Sequence, residues 1–308
     1  MKKRYKYSFV LVVLLVLTEI GLRLFMDIGE KPLYEQNDQF EYALKANQDL
    51  TRFHHHYQTN ALGMRSKPIN PKDKKRVLLF GDSVLNGGTD MDQEETIPYI
   101  LEKALEAYFK DSIGVYAASA GSWGVENAYR FLETKIDFEF DMICLVFSSH
   151  DYHDNMHHRP VVGIQPAWPS EQPTFAITDL FFNGIWPKIN TALGRNNYDY
   201  LEGFDDSNPS PGFNLFNAYA QANNIPIFVY IHPEQKELEI NDFNWKGKTL
   251  IENLDQNNIL NLNGLKTEVL DGYIDNVHVN NKGHLLIATA ILNYITSTDQ
   301  LRTTLNIN

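Results

Sequence analysis

Arg76-Val77-Leu78-Leu79-Phe80-Gly81-Asp82-Ser83 is the stretch on which the fold turns. Four apolar residues, Val77 to Phe80, run without a polar break into a glycine. That pattern is expected of a strand covered on both faces in a parallel sheet. Outward from it, helix-like and strand-like segments alternate. Residues 94–110 carry Ile97, Ile100, Leu101, Ala104, Leu105 and Tyr108 at helical spacing, with Glu and Lys on the opposite face. Residues 113–118 read as a second strand and 125–136 as a second helix. Met142-Ile143-Cys144-Leu145-Val146-Phe147 reads as a third strand. An alanine-rich helix over about 213–224 leads into a fourth strand at 225–231, and a weaker fifth lies at 259–262. A last helix follows Asn280-Asn281-Lys282-Gly283 and carries Leu286, Ile287, Ala290, Ile291, Tyr294 and Ile295. The alternation predicts an α/β fold, a mostly parallel five-stranded sheet between two helix layers.

With 308 residues, the chain has room for one large domain plus attachments. Hydrophobic residues make up 43% and charged residues 21%, an ordinary globular balance. The net charge of -12, with no basic stripe beyond the first residues, argues against a nucleic-acid partner. One cysteine, Cys144, excludes an intramolecular disulfide framework and a multi-thiolate metal site; inside its apolar run it reads as a core thiol.

Location is legible at the start. Lys2, Lys3, Arg4 and Lys6 precede an unbroken apolar run, Phe9 to Leu17. No small-x-small cleavage site follows; Thr18-Glu19-Ile20-Gly21-Leu22-Arg23-Leu24-Phe25 continues a helix in which Glu19 and Arg23 can pair. Residues 7–25 approach the roughly 20 apolar residues that a membrane span requires. An uncleaved signal anchor over 1–28 is therefore preferred to a cleaved signal peptide. Both readings keep the basic flank in the cytoplasm and put the rest outside it, in a periplasm or on the outer surface.

Residues 29–73, with Pro32, Pro68 and Pro71, read as a stalk that partly packs on the domain. Its His54-His55-His56 reads as a solvated or packing run. Residues 74–300 form the main domain. Within it, 152–212 is an irregular insertion containing Trp168, Phe175, Phe181, Phe182, Trp186 and Tyr198, which reads as a cap over the site. The run His150, Asp151, His153, Asp154, His157, His158 matches no common metal spacing and reads as cap polarity or substrate contact.

In open α/β sheets, ligands sit at the carboxyl ends of the strands. There the sequence places Gly81-Asp82-Ser83, Ala120-Gly121-Ser122-Trp123-Gly124, Ser148-Ser149-His150-Asp151 and His232-Pro233. Asp275-Asn276-Val277-His278 precedes the last helix. A serine hydroxyl needs a base, and histidine suits that role near neutral pH. Asp275, three residues before His278, can fix its tautomer and stabilise its cation. Backbone N–H groups beside Ser83 suit an oxyanion. Trp123 and His232 stand where they could contact substrate.

Val77-Leu78-Leu79-Phe80-Gly81-Asp82-Ser83 resembles the first block of the GDSL/SGNH hydrolases, and Asp275-Asn276-Val277-His278 followed by Asn280-Asn281-Lys282-Gly283-His284 resembles their last. The resemblance covers roughly residues 74–298. It implies a flavodoxin-like three-layer sandwich, a Ser83–His278–Asp275 triad, and ester or acyl-transfer chemistry without metal or cofactor. The middle blocks depart from the pattern. Either Gly121 or Ser122 could supply the second oxyanion N–H besides that of Ser83. The family's third block is commonly Gly-x-Asn-Asp, so His150 stands where an asparagine would donate to the oxyanion; a lost donor typically costs about 10²–10³ in rate.

The resemblance implies an extracytoplasmic esterase or O-acyltransferase acting on acylated, notably acetylated, polysaccharide, with a membrane-protein partner conceivable. The same triad would also serve a lipid or thioester hydrolase. The altered third block motivates a further alternative, a non-catalytic glycan-binding or assembly subunit.

Overall fold

The structure, a computed structural model, describes residues 2–193 and 208–306. It begins with α1 (Lys2–Phe25) and two antiparallel hairpins, β1 (Tyr34–Asn37) with β2 (Glu41–Leu44) and β3 (Asp49–Arg52) with β4 (His55–Gln58). The sheet strands follow: β5 (Lys75–Gly81), β6 (Ile113–Ser119), β7 (Met142–Ser148), β8 (Ile227–His232) and β9 (Leu260–Asn263). Their spatial order is β6-β5-β7-β8-β9, and every neighbouring pair is parallel. Numbered within the sheet, this is the 2-1-3-4-5 order of flavodoxin-like folds, whose connections part between the first and third strands. The site expected at that switch point lies beyond β5 and β7.

Between and after the strands come α2 (Ser83–Asn86), α3 (Ile97–Phe109), α4 (Val125–Lys135), α5 (Ala176–Asp179), α6 (Trp186–Ala192), α7 (Gly212–Asn223), α8 (Gln235–Ile240), α9 (Trp245–Gln256), α10 (Asn281–Ser297) and α11 (Asp299–Leu305). A π-helical turn, Leu180–Ile185, joins α5 to α6.

Side chains alternate across a strand, so one apolar run supplies two cores. Leu78, Phe80, Ile143, Leu145 and Phe147 pack on one face against Trp123, Phe131, Phe213, Phe216 and Leu250. Val77, Leu79, Cys144 and Val146 pack on the other against Leu101, Leu105, Ile287, Ile291 and Leu301. Cys144 is a buried thiol among these, and burial pushes its pKa well up.

Residues 29–73 are not a stalk. β2 is buried along its whole length, and Phe40, Tyr42, Ala43 and Met64 belong to the first core. Tyr42 donates to the carbonyls of Gly121 (2.9 Å) and Ser122 (3.0 Å), fixing the loop after β6. Arg65, fully buried, stacks on Tyr57 and donates to the carbonyls of Asn86, Gly88 (2.6 Å) and Met91 (2.9 Å). It thereby holds the loop after α2. Short strands with few alternating apolar positions leave no periodic trace, so the sequence concealed these hairpins.

Candidate active site

The sheet's first strand delivers Ser83 to the switch point. Gly81 ends β5 where a Cβ would lie 2.6 Å from the Val146 carbonyl, so the sheet admits no side chain there. Asp82 caps α2, its carboxylate accepting the Val84 N–H at 2.8 Å. Gly87 then turns the chain with φ +72°, the left-handed conformation that glycine adopts freely.

Ser83 Oγ lies 2.9 Å from His278 Nε2, and His278 Nδ1 lies 2.7 Å from Asp275 Oδ2. A carboxylate only accepts, so Nδ1 carries the ring proton and Nε2 is left to accept from the serine hydroxyl. Asp275 Oδ1 also accepts the N–H groups of Val277 (2.8 Å) and His278 (2.7 Å). Partial burial tends to raise the Asp275 pKa, but those N–H groups and the imidazole hold it below the usual carboxylate value. Residues 195 positions apart in sequence are thus hydrogen-bonded at the sheet's rim.

Two clefts share Ser83 and His278. One, of about 600 Å³, is lined by Tyr34, His55, Met91, Gly121, Ile274 and His284 among others. The second, of about 420 Å³, includes Ser122, His150, His153, Arg159, Trp168 and Lys246. Gly121 and Ser122 therefore open to different clefts, and Ser122 takes a left-handed φ of +57°.

His150 lines the second cleft together with Ser83 and has carboxylates at both ring nitrogens. Nε2 is 3.6 Å from Asp151 and Nδ1 is 3.5 Å from Glu234. Burial alone would lower its pKa; Asp151, the Glu234 hydrogen bond, Asp82 and Asp154 outweigh that and push it up to about 10. The carboxylates around His150 thus favour its protonated form. Asp82, His150 and Asp151 offer ligand atoms within 4.8 Å of one another, a donor set that would also suit a cation.

Two expected substrate contacts are corrected. Trp123 is buried in the core beside Phe40 and Phe131, its indole N–H donating to the Tyr42 carbonyl at 2.8 Å, and it lines neither cleft. His232 is likewise fully buried, 2.7 Å from both Glu268 Oε1 and the Val277 carbonyl. Both partners can accept a hydrogen bond from the ring. Burial opposes a charge on it, but Glu268 and the Val277 carbonyl raise the pKa.

Glu268 also accepts from Tyr230 and Tyr273, each at 2.5 Å. This buried cluster grips Val277, the residue before His278. Asn276 donates to Glu234 at 2.9 Å, and its carbonyl accepts the Gln235 N–H at 2.7 Å. Sequence reasoning missed Glu234 and Glu268. Neither lies in a motif, and only an acid just past a strand or before the Asp-x-x-His could have drawn notice.

Among the described residues, only part of the insertion reaches the site. Trp168 lines the second cleft, whereas Phe175, Phe181, Phe182 and Trp186 line neither. Tyr198 lies outside the described residues. His284 packs between α10 and α3, accepting the Ile97 N–H at 3.2 Å; burial, with the Arg65 charge, pushes its pKa down to about 3.

No family model and no curated protein sequence matches the chain. Among solved structures it is similar to a lipase/acylhydrolase from Enterococcus faecalis, at 14% identity and TM-score 0.44, covering 72% of this chain and 95% of that one. It is also similar to a psychrotrophic esterase from Pseudoalteromonas sp., at 14% identity and TM-score 0.43, covering 72% and 97%. A carbohydrate acetylesterase family member from Sinorhizobium meliloti aligns at 15% identity and TM-score 0.37, covering 76% and 100%. At such identities residue roles do not transfer, and the site is argued from its own geometry.

Proposed function

We propose that the chain is a serine hydrolase of the GDSL/SGNH type, acting on acyl esters through Ser83, His278 and Asp275. One observation carries this reading: the unbroken hydrogen-bonded series Asp275–His278–Ser83 opening on two clefts. His278 Nε2 takes the hydroxyl proton as Ser83 Oγ attacks the acyl carbonyl. Asp275 stabilises the imidazolium so formed. The N–H of Ser83 and that of Gly121 or Ser122 would hold the oxyanion, with the His150 charge nearby. His278 then returns its proton to the departing alcohol, and water or a second alcohol releases the acyl group from Ser83.

For the substrate we propose an acylated, chiefly acetylated, glycan outside the cytoplasm. Support comes from the motif resemblance and from α1, in which Tyr5–Phe25 has a mean hydropathy of 2.2 and is long enough to cross a membrane. The basic residues before it favour a cytoplasmic N-terminus. Domain limits of 1–28, 29–73 and 74–300 remain our division of the sequence, with 29–73 now assigned to the body of the hydrolase.

A fluorophosphonate probe should label the wild type and not Ser83→Ala. A folded wild type that fails to label would favour the glycan-binding alternative. An ester panel of acetylated oligosaccharides and long-chain lipids, with and without sugar acceptors, separates deacetylation, transfer and lipid hydrolysis. Turnover of long-chain lipids alone would overturn the glycan assignment.

A further inference from the structure

The segment from Phe175 to Leu193 is fastened to the end of α1 and leaves an apolar surface bare. Glu19 accepts the N–H groups of Ala176 (2.8 Å) and Ile177 (3.1 Å), and Arg23 donates to the Thr174 carbonyl at 3.1 Å. Leu22 packs with Ala176, Phe53, Ile177 and Leu180. The segment's one acid, Asp179, is buried and paired with Arg52 (2.7 Å) and Lys31 (3.4 Å). Outward stand Phe181, Phe182, Ile185, Trp186, Ile189 and Leu193, with Phe182 55% and Leu193 61% exposed. The exposed charge among them is Lys188.

Depth follows from helix geometry. At about 1.5 Å per residue, the 21 residues of the span reach roughly the 30 Å of a hydrocarbon core. Glu19 to Phe25 therefore occupy the outermost stretch of the span, about 9 Å deep from its far end. Whatever is bonded to Glu19 and packed on Leu22 stands at the same level. Phe and Trp on a short amphipathic stretch carrying a lysine suit the boundary between headgroups and acyl chains.

We propose that Phe175–Leu193 is a second membrane contact, lying in the interface of the leaflet that α1 leaves, so that the hydrolase is held at two points rather than swinging on one helix. The proposal rests on α1 being a membrane span. Its partner is the bilayer, favoured over a protein by the surface's direct continuity with the span.

The test uses the full chain in nanodiscs of phosphatidylethanolamine and phosphatidylglycerol. Phe182→Cys and Ile189→Cys would be labelled with a fluorophore; the buried native thiol of wild type serves as the unlabelled blank. Val13→Cys reports the span and Tyr108→Cys the water-exposed domain. The expected result is quenching of labels 182 and 189 by nitroxide lipids, with loss of the iodide quenching seen at 108. If label 13 lies in lipid while 182 and 189 remain open to iodide, the interfacial contact is overturned and the anchor stands. Protection of 182 and 189 from both quenchers would mean a protein covers them, which also overturns it. Iodide access at 13 would remove the anchor itself and the proposal with it.

Discussion

Two histidines share a cleft with Ser83, and their surroundings send them opposite ways. His278 has one carboxylate on one nitrogen, which leaves the other free to face the hydroxyl. His150 has carboxylates at both nitrogens and two further acids nearby, which push its pKa up to about 10. A single acid orients a base; several acids favour the charged form of the same ring. Proximity to a serine is therefore not what qualifies a histidine to accept its proton.

The contrast can be broken most severely at the serine. Ser83→Ala should lower ester turnover about 10⁶-fold, the loss typical of a removed nucleophile, measured as kcat on an acetyl ester. Asp275→Asn should keep the fold but strand the wrong tautomer, lowering kcat about 10⁴-fold; retention of near-normal turnover would remove Asp275 from the reading. Glu268→Gln acts behind the site. Removing the carboxylate that pairs with buried His232, Tyr230 and Tyr273 should cost about 3–5 kcal/mol of stability in denaturant unfolding.

The cation's side sharpens the comparison with smaller effects. His150→Ala should lower kcat about 10²-fold with little change in KM, if its charge serves the oxyanion. An unchanged kcat would assign it to packing alone. Because the folded pKa of His150 is raised, its charged form contributes stability fully below its ordinary pKa near 6.5. That contribution is lost as pH rises towards about 10. Glu234→Gln, by removing one stabilising acid, should move this alkaline loss to lower pH in unfolding series run between about pH 7 and 10. Asp275 has the opposite sign. Its lowered pKa supplies stability above the ordinary carboxylate value, lost as pH falls through the lowered one.

Much of this was written in local patterns. The apolar run Val77–Phe80, the helical spacing of Ile97 to Tyr108 and the turn before α10 each need only neighbouring residues to be read. Gly81-Asp82-Ser83 and Asp275-Asn276-Val277-His278 are equally local, which is why their positions at strand and helix ends could be inferred before any contact was known. Trp123 and His232 deceived because a residue after a strand can turn towards the cleft or into the core, and sequence position is the same in both cases. Within the insertion, Trp168 lines a cleft while Phe175, Phe181, Phe182 and Trp186 do not, a difference that sequence position does not reveal.

By itself, then, the sequence determined which segments are strands and helices and which short motifs stand at their ends, because backbone periodicity and turn chemistry act over a few residues. Tertiary structure alone decided that Tyr42 and Arg65 brace the site and that acids surround His232 and His150 and raise their pKa values. It also left Phe182 and Trp186 exposed and outside both clefts. Burial, charge state and facing depend on groups distant in the chain, and only folding brings those groups within a few ångströms.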